Sequence, residues 1–230
     1  MKRILIVFLL AATAIGLFAQ KPSAESIRKR FSLSTTLFND FWMDVPDSIK
    51  PRAINQGVDI YALYNFPMDK KGRLSFFAGV GLGAHNFYHK ALIGLDENNK
   101  SFLYNFPAKD AKGNDIKVKN SKLSITYFDI PFGFQYKAAN KLHGTLGFKV
   151  GWSINDHSKY KGTDLAGSGL QVKTKSAGLP NIENLHYGPY ATFGYKWFGL
   201  TACYQVSPIF EKDMGPEIYP ISVGITFRPF

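Results

Sequence analysis

Residues that could carry chemistry are few in this sequence and widely spaced. The 230 residues include five histidines and one cysteine, Cys203. His157 is followed directly by Ser158, but neighbours in sequence rarely form a nucleophile–base pair, and no G-x-S-x-G elbow is present. A lone cysteine cannot form an internal disulfide, and no Cys/His spacing typical of a metal site occurs. The sequence therefore predicts no catalytic residue, no metal site and no cofactor.

The beginning of the chain predicts export. Lys2 and Arg3 precede an apolar run over residues 4–19, which is shorter than the ~20 residues that a spanning helix needs. A basic start, an apolar middle and a small residue before a polar one are typical of a secretory signal peptide. We expect residues 1–19 to be the signal, with cleavage after Ala19; an uncleaved membrane anchor is the alternative. Residues 20–30 are then a periplasmic segment, and 31–230 form the folded domain.

The elements that must position any functional side chain are strands, because apolar and small or polar residues alternate with period two. Alternation is clearest in 74–84, 142–154, 200–206 and 219–228, and less regular in 31–42, 54–66, 123–137 and 186–197. Most of these eight segments exceed the ~5–6 residues of an ordinary strand and approach the ~9–11 of a tilted membrane strand.

The connections between these strands decide the fold class. Three are short, at 67–72, 138–141 and 196–199, and they alternate with four longer ones, at 43–53, 89–121, 156–185 and 208–218. Alternation of short turns with long loops is typical of an outer-membrane barrel, with the turns in the periplasm. The sequence therefore predicts an all-β fold, an eight-stranded antiparallel up-and-down transmembrane β-barrel with long outer loops.

The interior of such a barrel is just wide enough for its own side chains, so we expect a filled lumen. By strand parity, four charged residues point inward: Asp40, Asp59, Asp129 and Lys149. A charge facing the bilayer midplane would cost roughly 2–4 kcal/mol, which supports this assignment. We predict a polar network around Lys149 with Asp59 and Asp129 as partners, and with His85, His143 or a protonated carboxyl balancing the charge. A narrow channel is the alternative, and a soluble lipocalin-like barrel would reverse the parity.

The long loops are the remaining places for function. Residues 110–115 resemble the start of a calcium loop, but the closing glutamate is absent, so we expect a hairpin turn with 112–115 at its tip. Because Ile116 and Val118 keep alternating, the third and fourth strands are expected to continue outward past the membrane. His89, His157 and His186 lie in or beside the long loops, where a lipid A-modifying barrel enzyme would need a serine and a base. We regard that enzyme as the less favoured alternative.

Three further features resemble a known family. They are the Leu17–Gln20 end of the signal, the strand Tyr-Phe-Asp-Ile-Pro-Phe-Gly-Phe at 127–134, and the terminal Phe230. Together they resemble the PorT-like outer membrane β-barrel family and, more loosely, the OmpX-like eight-stranded barrels. The resemblance implies that the barrel-assembly machinery reads Phe230 as part of an assembly signal. It also implies, as an alternative role, an accessory subunit of a protein secretion system.

The formal net charge of +11 would suit a nucleic-acid binder, so the placement of the basic residues matters. On the predicted topology the excess forms a periplasmic basic rim that includes Arg28, Lys29, Arg30, Lys70, Lys71, Arg73, Lys137 and Lys141. Phospholipid phosphates can accept this charge. We therefore expect outer-membrane lipids as partners and no nucleic acid.

Taken together, these patterns predict an integral protein of the outer membrane of a Gram-negative bacterium. Its expected role is structural or interaction-based, in membrane integrity, adhesion or docking. Loops 89–121 and 156–185 are the candidate surfaces for an envelope protein partner.

Overall fold

The chain folds as an all-β protein in a computed structural model that describes residues 30–49 and 51–229. The predicted signal peptide, most of the 20–30 segment, Arg28, Lys29 and Phe230 lie outside the described residues. Within the described ranges, no helix is long and apolar enough to cross a membrane.

The described residues form eleven strands. These are β1 (Phe31–Met43), β2 (Gln56–Pro67), β3 (Leu74–Tyr88), β4 (Ala91–Leu95), β5 (Ser101–Asn105), β6 (Val118–Lys137), β7 (Leu142–Thr163), β8 (Gln171–Ala177), β9 (Leu185–Tyr195), β10 (Phe198–Tyr204) and β11 (Tyr219–Phe227). Eight of them close into an antiparallel barrel in the order β6-β3-β2-β1-β11-β10-β9-β7, and pairing of β6 with β7 completes the ring. The predicted eight-stranded barrel is therefore confirmed.

The barrel wall is apolar outside and polar inside. In β1, Leu33 and Leu37 are exposed on the outer surface, whereas Ser34 and Thr36 between them are buried in the interior. Such alternation follows from the two-residue period of a strand. A soluble lipocalin-like barrel would show the opposite arrangement, so the wall is that of a barrel facing lipid.

Two neighbouring strands continue beyond the ring. β6 has 20 residues and β7 has 22, and their register shifts at a bulge between Thr126 and Tyr127. Past the bulge their outer parts pair with each other, and β8 pairs with the outer part of β7. We call this three-stranded extension, residues 118–124, 155–163 and 171–177, the outer sheet.

Of the third and fourth strands, both predicted to continue outward, the fourth does so as β6, which begins at Val118. β3 ends at Tyr88, and the outer part of β6 pairs with β7 instead. The reason is that the intervening chain folds back as the β4–β5 hairpin, whose Ala91 and Leu103 are buried. The predicted turn in this loop is present, with Lys109 and residue 115 bridged across it.

Candidate functional site: the barrel interior and the outer loops

Glycines on the inner face of β3 make room for large side chains from β2. Along the paired strands, Asp59 lies opposite Gly83, Tyr61 opposite Gly81, and Leu63 opposite Gly79. A Cβ atom on Gly83 would lie 2.7 Å from Asp129 Oδ2 and 2.8 Å from Asp59 Oδ1. Since real side chains do not approach so closely, the glycine allows carboxylates from two strands to meet inside the barrel.

Asp129 lies at the centre of the interior and is fully buried. The Tyr61 hydroxyl donates to Asp129 Oδ2 at 2.8 Å, and His186 Nε2 lies 2.5 Å from Oδ1. The Tyr127 ring stacks on the His186 ring, with centroids 3.8 Å apart. His186 was expected in or beside an outer loop, but its side chain lies inside the barrel because it occupies an inward position of β9.

Asp40 forms a second buried carboxylate centre. His85 Nδ1 lies 2.9 Å from Asp40 Oδ2, and the Ser222 hydroxyl donates to Oδ1 at 2.5 Å. All three residues are buried. The carboxylate lies between the hydroxyl and the imidazole, whereas a nucleophile–base pair needs the hydroxyl to contact the imidazole directly. This geometry positions side chains and does not activate the serine.

Lys149 completes the charged interior. Its Nζ lies 3.4 Å from Asp59 Oδ2, and both residues are buried. Asp129, the other predicted partner of Lys149, instead takes its hydrogen bonds from Tyr61 and His186. The four predicted residues therefore share the interior but are distributed over three centres, each with its own partners.

The periplasmic end of the interior is filled by Arg228. Its guanidinium donates to Ser32 Oγ at 3.1 and 3.0 Å and to Asn65 Oδ1 at 2.6 Å, and it lies 5.6 Å from the centre of the Phe77 ring. Arg228 is buried although it lies only two residues before the last residue of the chain. His143, one of the groups predicted to balance the inward carboxylates, is also buried at this end and lines a cavity with Asp59.

A small polar cavity of about 50 Å³ lies inside the barrel. Its lining includes Lys149, Asp59, His143, Arg228 and Gln135. The Gln135 side-chain amide is buried and has no hydrogen-bond partner among the described residues. A cavity of this size and polarity can hold a few water molecules, which would satisfy that amide.

The outer end of the barrel is closed by an apolar cluster that we call the outer cap. All four long loops contribute buried side chains to it: Ile49, Ala91, Leu103, Ile182, Ile209, Phe210 and Ile218. They pack on wall residues that include Trp42, Phe87, Leu123 and Ile125. Backbone bonds also join the loops, as in Ser101 N–H to the Met214 carbonyl at 2.8 Å. The loops therefore form one packed unit.

The rings of the remaining histidines, His89 and His157, form no hydrogen bond with a serine hydroxyl among the described residues. His89 is buried under the cap, where its Nδ1 accepts from the Ala91 N–H at 3.2 Å. Burial lowers the pKa of His89 to about 4, so its ring is neutral at pH 7. His157 Nδ1 lies 3.3 Å from Asn155 Oδ1 in the outer sheet.

The described members of the predicted basic rim lie at the end of the barrel with the short turns. Lys70, Lys71, Arg73 and Lys141 are exposed there, while Arg30 and Lys137 are partly buried.

A comparison with family models decides what kind of protein this is. The model described as an outer membrane protein beta-barrel domain matches residues 57–209. The chain belongs to this family. It is therefore an outer-membrane β-barrel protein.

Several solved barrels are similar to this member of the family. The attachment invasion locus protein Ail of Yersinia pestis is 14% identical, covers 86% of this chain and 97% of its own, and has a TM-score of 0.38. The same protein in complex with the heparin analogue sucrose octasulfate is 13% identical, covers 86% of this chain and 97% of its own, and has a TM-score of 0.37. A mutant porin of Rh. blastica is 8% identical, covers 86% of this chain and 98% of its own, and has a TM-score of 0.22. No curated protein sequence matches the chain.

Proposed function

We propose that this protein is a closed, non-conducting barrel with a structural or interaction role at the cell surface. The observation that carries the proposal is the outer cap, because every long loop contributes buried apolar side chains to one cluster. Loops packed in this way present a fixed outer surface, and pre-organised surfaces bind partners at a lower entropic cost than flexible loops do.

The narrow-channel alternative needs an open path along the barrel axis. Inside the described barrel lies a small cavity of about 50 Å³, and the centres around Asp129 and Asp40 lie between it and the outer cap. Displacing them would leave buried charges unpaired, which is costly in a medium of low dielectric constant. These features speak against conduction.

An enzymatic role is also disfavoured. Catalysis by a serine would require a base in contact with the hydroxyl, and Ser222 instead donates to the Asp40 carboxylate. His186 Nε2 is bonded to the Asp129 carboxylate, and the His186 ring is stacked on the Tyr127 ring. We therefore assign these groups to holding the barrel together.

The loop 89–121 supplies the best candidate surface for docking. Phe102 and Tyr104 project from β5 with their ring centroids 5.2 Å apart, and each is about two-fifths exposed. Leu103 between them is anchored in the outer cap, and Gly94 lies beneath both rings. An exposed aromatic pair on a rigid support is typical of a binding hot spot. A subunit of a secretion apparatus is one kind of partner that would suit it.

The experiment places a photo-activated cross-linking amino acid at position 102 in cells, and at Leu170 as an exposed apolar control in another loop. The proposal expects one defined envelope protein cross-linked at 102. The double variant Phe102→Ser, Tyr104→Ser should abolish its co-purification while the barrel still migrates as a folded species. Absence of any cross-link at 102, or equal capture at 170, would contradict docking through this hairpin.

A further inference from the structure

The outer sheet has two unlike faces. Leu123 and Ile125 of β6 point into the outer cap and are almost fully buried. Because side chains alternate along a strand, Lys122 and Ser124 point the opposite way. That opposite face continues the lipid-facing surface of the barrel wall, whose nearest exposed large apolar residues on β6 and β7 are Phe128 and Ile154.

Five lysines lie on this outward face. The cross-strand register sets Lys122 opposite Lys159, and Lys159 opposite Lys175, in one row across three strands. Lys161 lies opposite Lys173 in the next row outward. We call these five residues the lysine face.

The row continues onto β3 and the first outer loop. Tyr88 of β3 is paired with Lys122, whose Nζ lies 5.7 Å from the centre of the Tyr88 ring and donates to Asn86 Oδ1 at 2.5 Å. The Arg52 guanidinium lies 5.9 Å from the same ring. Two cations therefore lie within 6 Å of the centre of this tyrosine ring.

None of the five lysines forms an ion pair in the part of the chain that the structure describes. The nearest acids are used elsewhere: Asp156 accepts from the Leu179 N–H on the inner side, and Asp164 accepts from the Ala166 N–H in a turn. Burial and the charge of Lys159 lower the pKa of Lys122, and burial and three of the lysines lower that of His157.

Like charges directly opposite one another destabilise a sheet, so two lysine rows without acids are unfavourable in isolation. A bound anion would remove the repulsion and use every ammonium group on the face. The arrangement therefore suits a ligand with more than one phosphate better than it suits bare solvent.

The height of the lysine face indicates where that anion comes from. Lys122 is six residues beyond Phe128 on β6, roughly 20 Å along the strand and roughly 15 Å along the axis of a barrel whose strands tilt ~40°. An apolar band of ~25 Å that begins near Tyr136 ends about 10 Å below Lys122. Long lysine stems can bring their ammonium groups back to the headgroup layer.

We propose that the lysine face binds the phosphate groups of the phosphorylated glycolipid in the outer leaflet of the outer membrane. The face lies on the lipid side of the wall, just outside the apolar band, and it carries positive charge where an anionic headgroup would lie. This site is separate from the aromatic pair on β5 and does not depend on protein docking there.

The test measures binding of lipid A with two phosphates to the folded full-length barrel in detergent micelles by native mass spectrometry. Dephosphorylated lipid A and inorganic phosphate are the comparison ligands. The double variant Lys159→Gln, Lys175→Gln removes two charges outside the cap, one from a half-buried and one from an exposed lysine. The variant Lys70→Gln, Lys71→Gln removes the same charge from a periplasmic turn as a matched control.

The wild-type protein should bind bisphosphorylated lipid A at least tenfold more tightly than the dephosphorylated lipid, and Lys159→Gln, Lys175→Gln should remove roughly that preference. Lys159→Arg, Lys175→Arg should retain it, which keeps the test valid if the glutamine variant folds poorly. Equal binding of the two lipids would overturn the proposal. So would equal losses in the control and the test variants, or binding of inorganic phosphate without binding of the lipid.

Discussion

The ion pair between Lys149 and Asp59 offers a worked test of the filled interior. The two charged atoms are 3.4 Å apart, and the side chains are only 5% and 10% exposed. Lys149→Met keeps the apolar stem of the side chain, without the terminal nitrogen, but leaves the Asp59 carboxylate buried without its cation. Breaking a buried pair in this way should lower the free energy of unfolding by about 3–5 kcal/mol.

The matched double variant separates lost charge compensation from poor packing. Asp59→Asn removes the orphaned charge, so Lys149→Met combined with Asp59→Asn should be more stable than the sum of the single effects by about 2 kcal/mol. Lys71→Met, at an exposed turn, should change the free energy of unfolding by less than about 0.5 kcal/mol.

The assay is urea unfolding of the barrel in lipid vesicles. Unfolding is monitored by tryptophan fluorescence and by the fraction that migrates as folded protein when unheated samples are run on an SDS gel. A loss below about 1 kcal/mol for Lys149→Met would mean that the pair is solvated as surface pairs are. A strictly additive double variant would refute the proposed coupling of the two residues.

Three further predictions concern packing, pH and the hydrogen bonds of a turn. Gly83→Ala should destabilise the barrel by about 1–3 kcal/mol in the same urea assay, whereas Gly144→Ala, whose Cβ meets no atom within 4 Å, should be near neutral. Because burial lowers the pKa of His89 from 6.5 to about 4, the unfolded state binds an extra proton between these values. The outer cap should therefore lose up to about 3 kcal/mol as pH falls from 6.5 to 4, which is measurable by hydrogen exchange and absent in His89→Phe. Asp110→Ala should speed amide exchange at residues 112 and 114, which Asp110 accepts from, while Asp115→Ala should leave them unchanged.

The barrel and its inward charges could be predicted because both follow from period-two alternation. The same rule could have placed His186 inside, since Tyr187 and Phe193, at odd-numbered positions of the same strand, point outward. The pairing of its ring with Asp129 could not be predicted, because contacts across the lumen depend on the stagger of the strands around the ring.

The outer cap and the lysine face show two different limits of the sequence. The loop residues that pack into the outer cap follow no regular alternation in the sequence. Nothing in the sequence therefore marks Ile49 or Phe210 as buried. The lysine face has a signal in the alternation of Lys159 with Lys161 and of Lys173 with Lys175. That signal was hidden because the outer loops are nearly neutral in sum, and only the register shows that the lysines and the acids lie on different faces.

The most direct test of the closed barrel is the current across a planar bilayer that contains the purified protein. The interior centres and the outer cap predict no resolved conductance steps at any voltage that the bilayer withstands, in the wild-type protein and in Phe102→Ser alike. Reproducible single-channel steps whose size or selectivity changes in Lys149→Met would contradict a filled lumen and would make the narrow channel the better account.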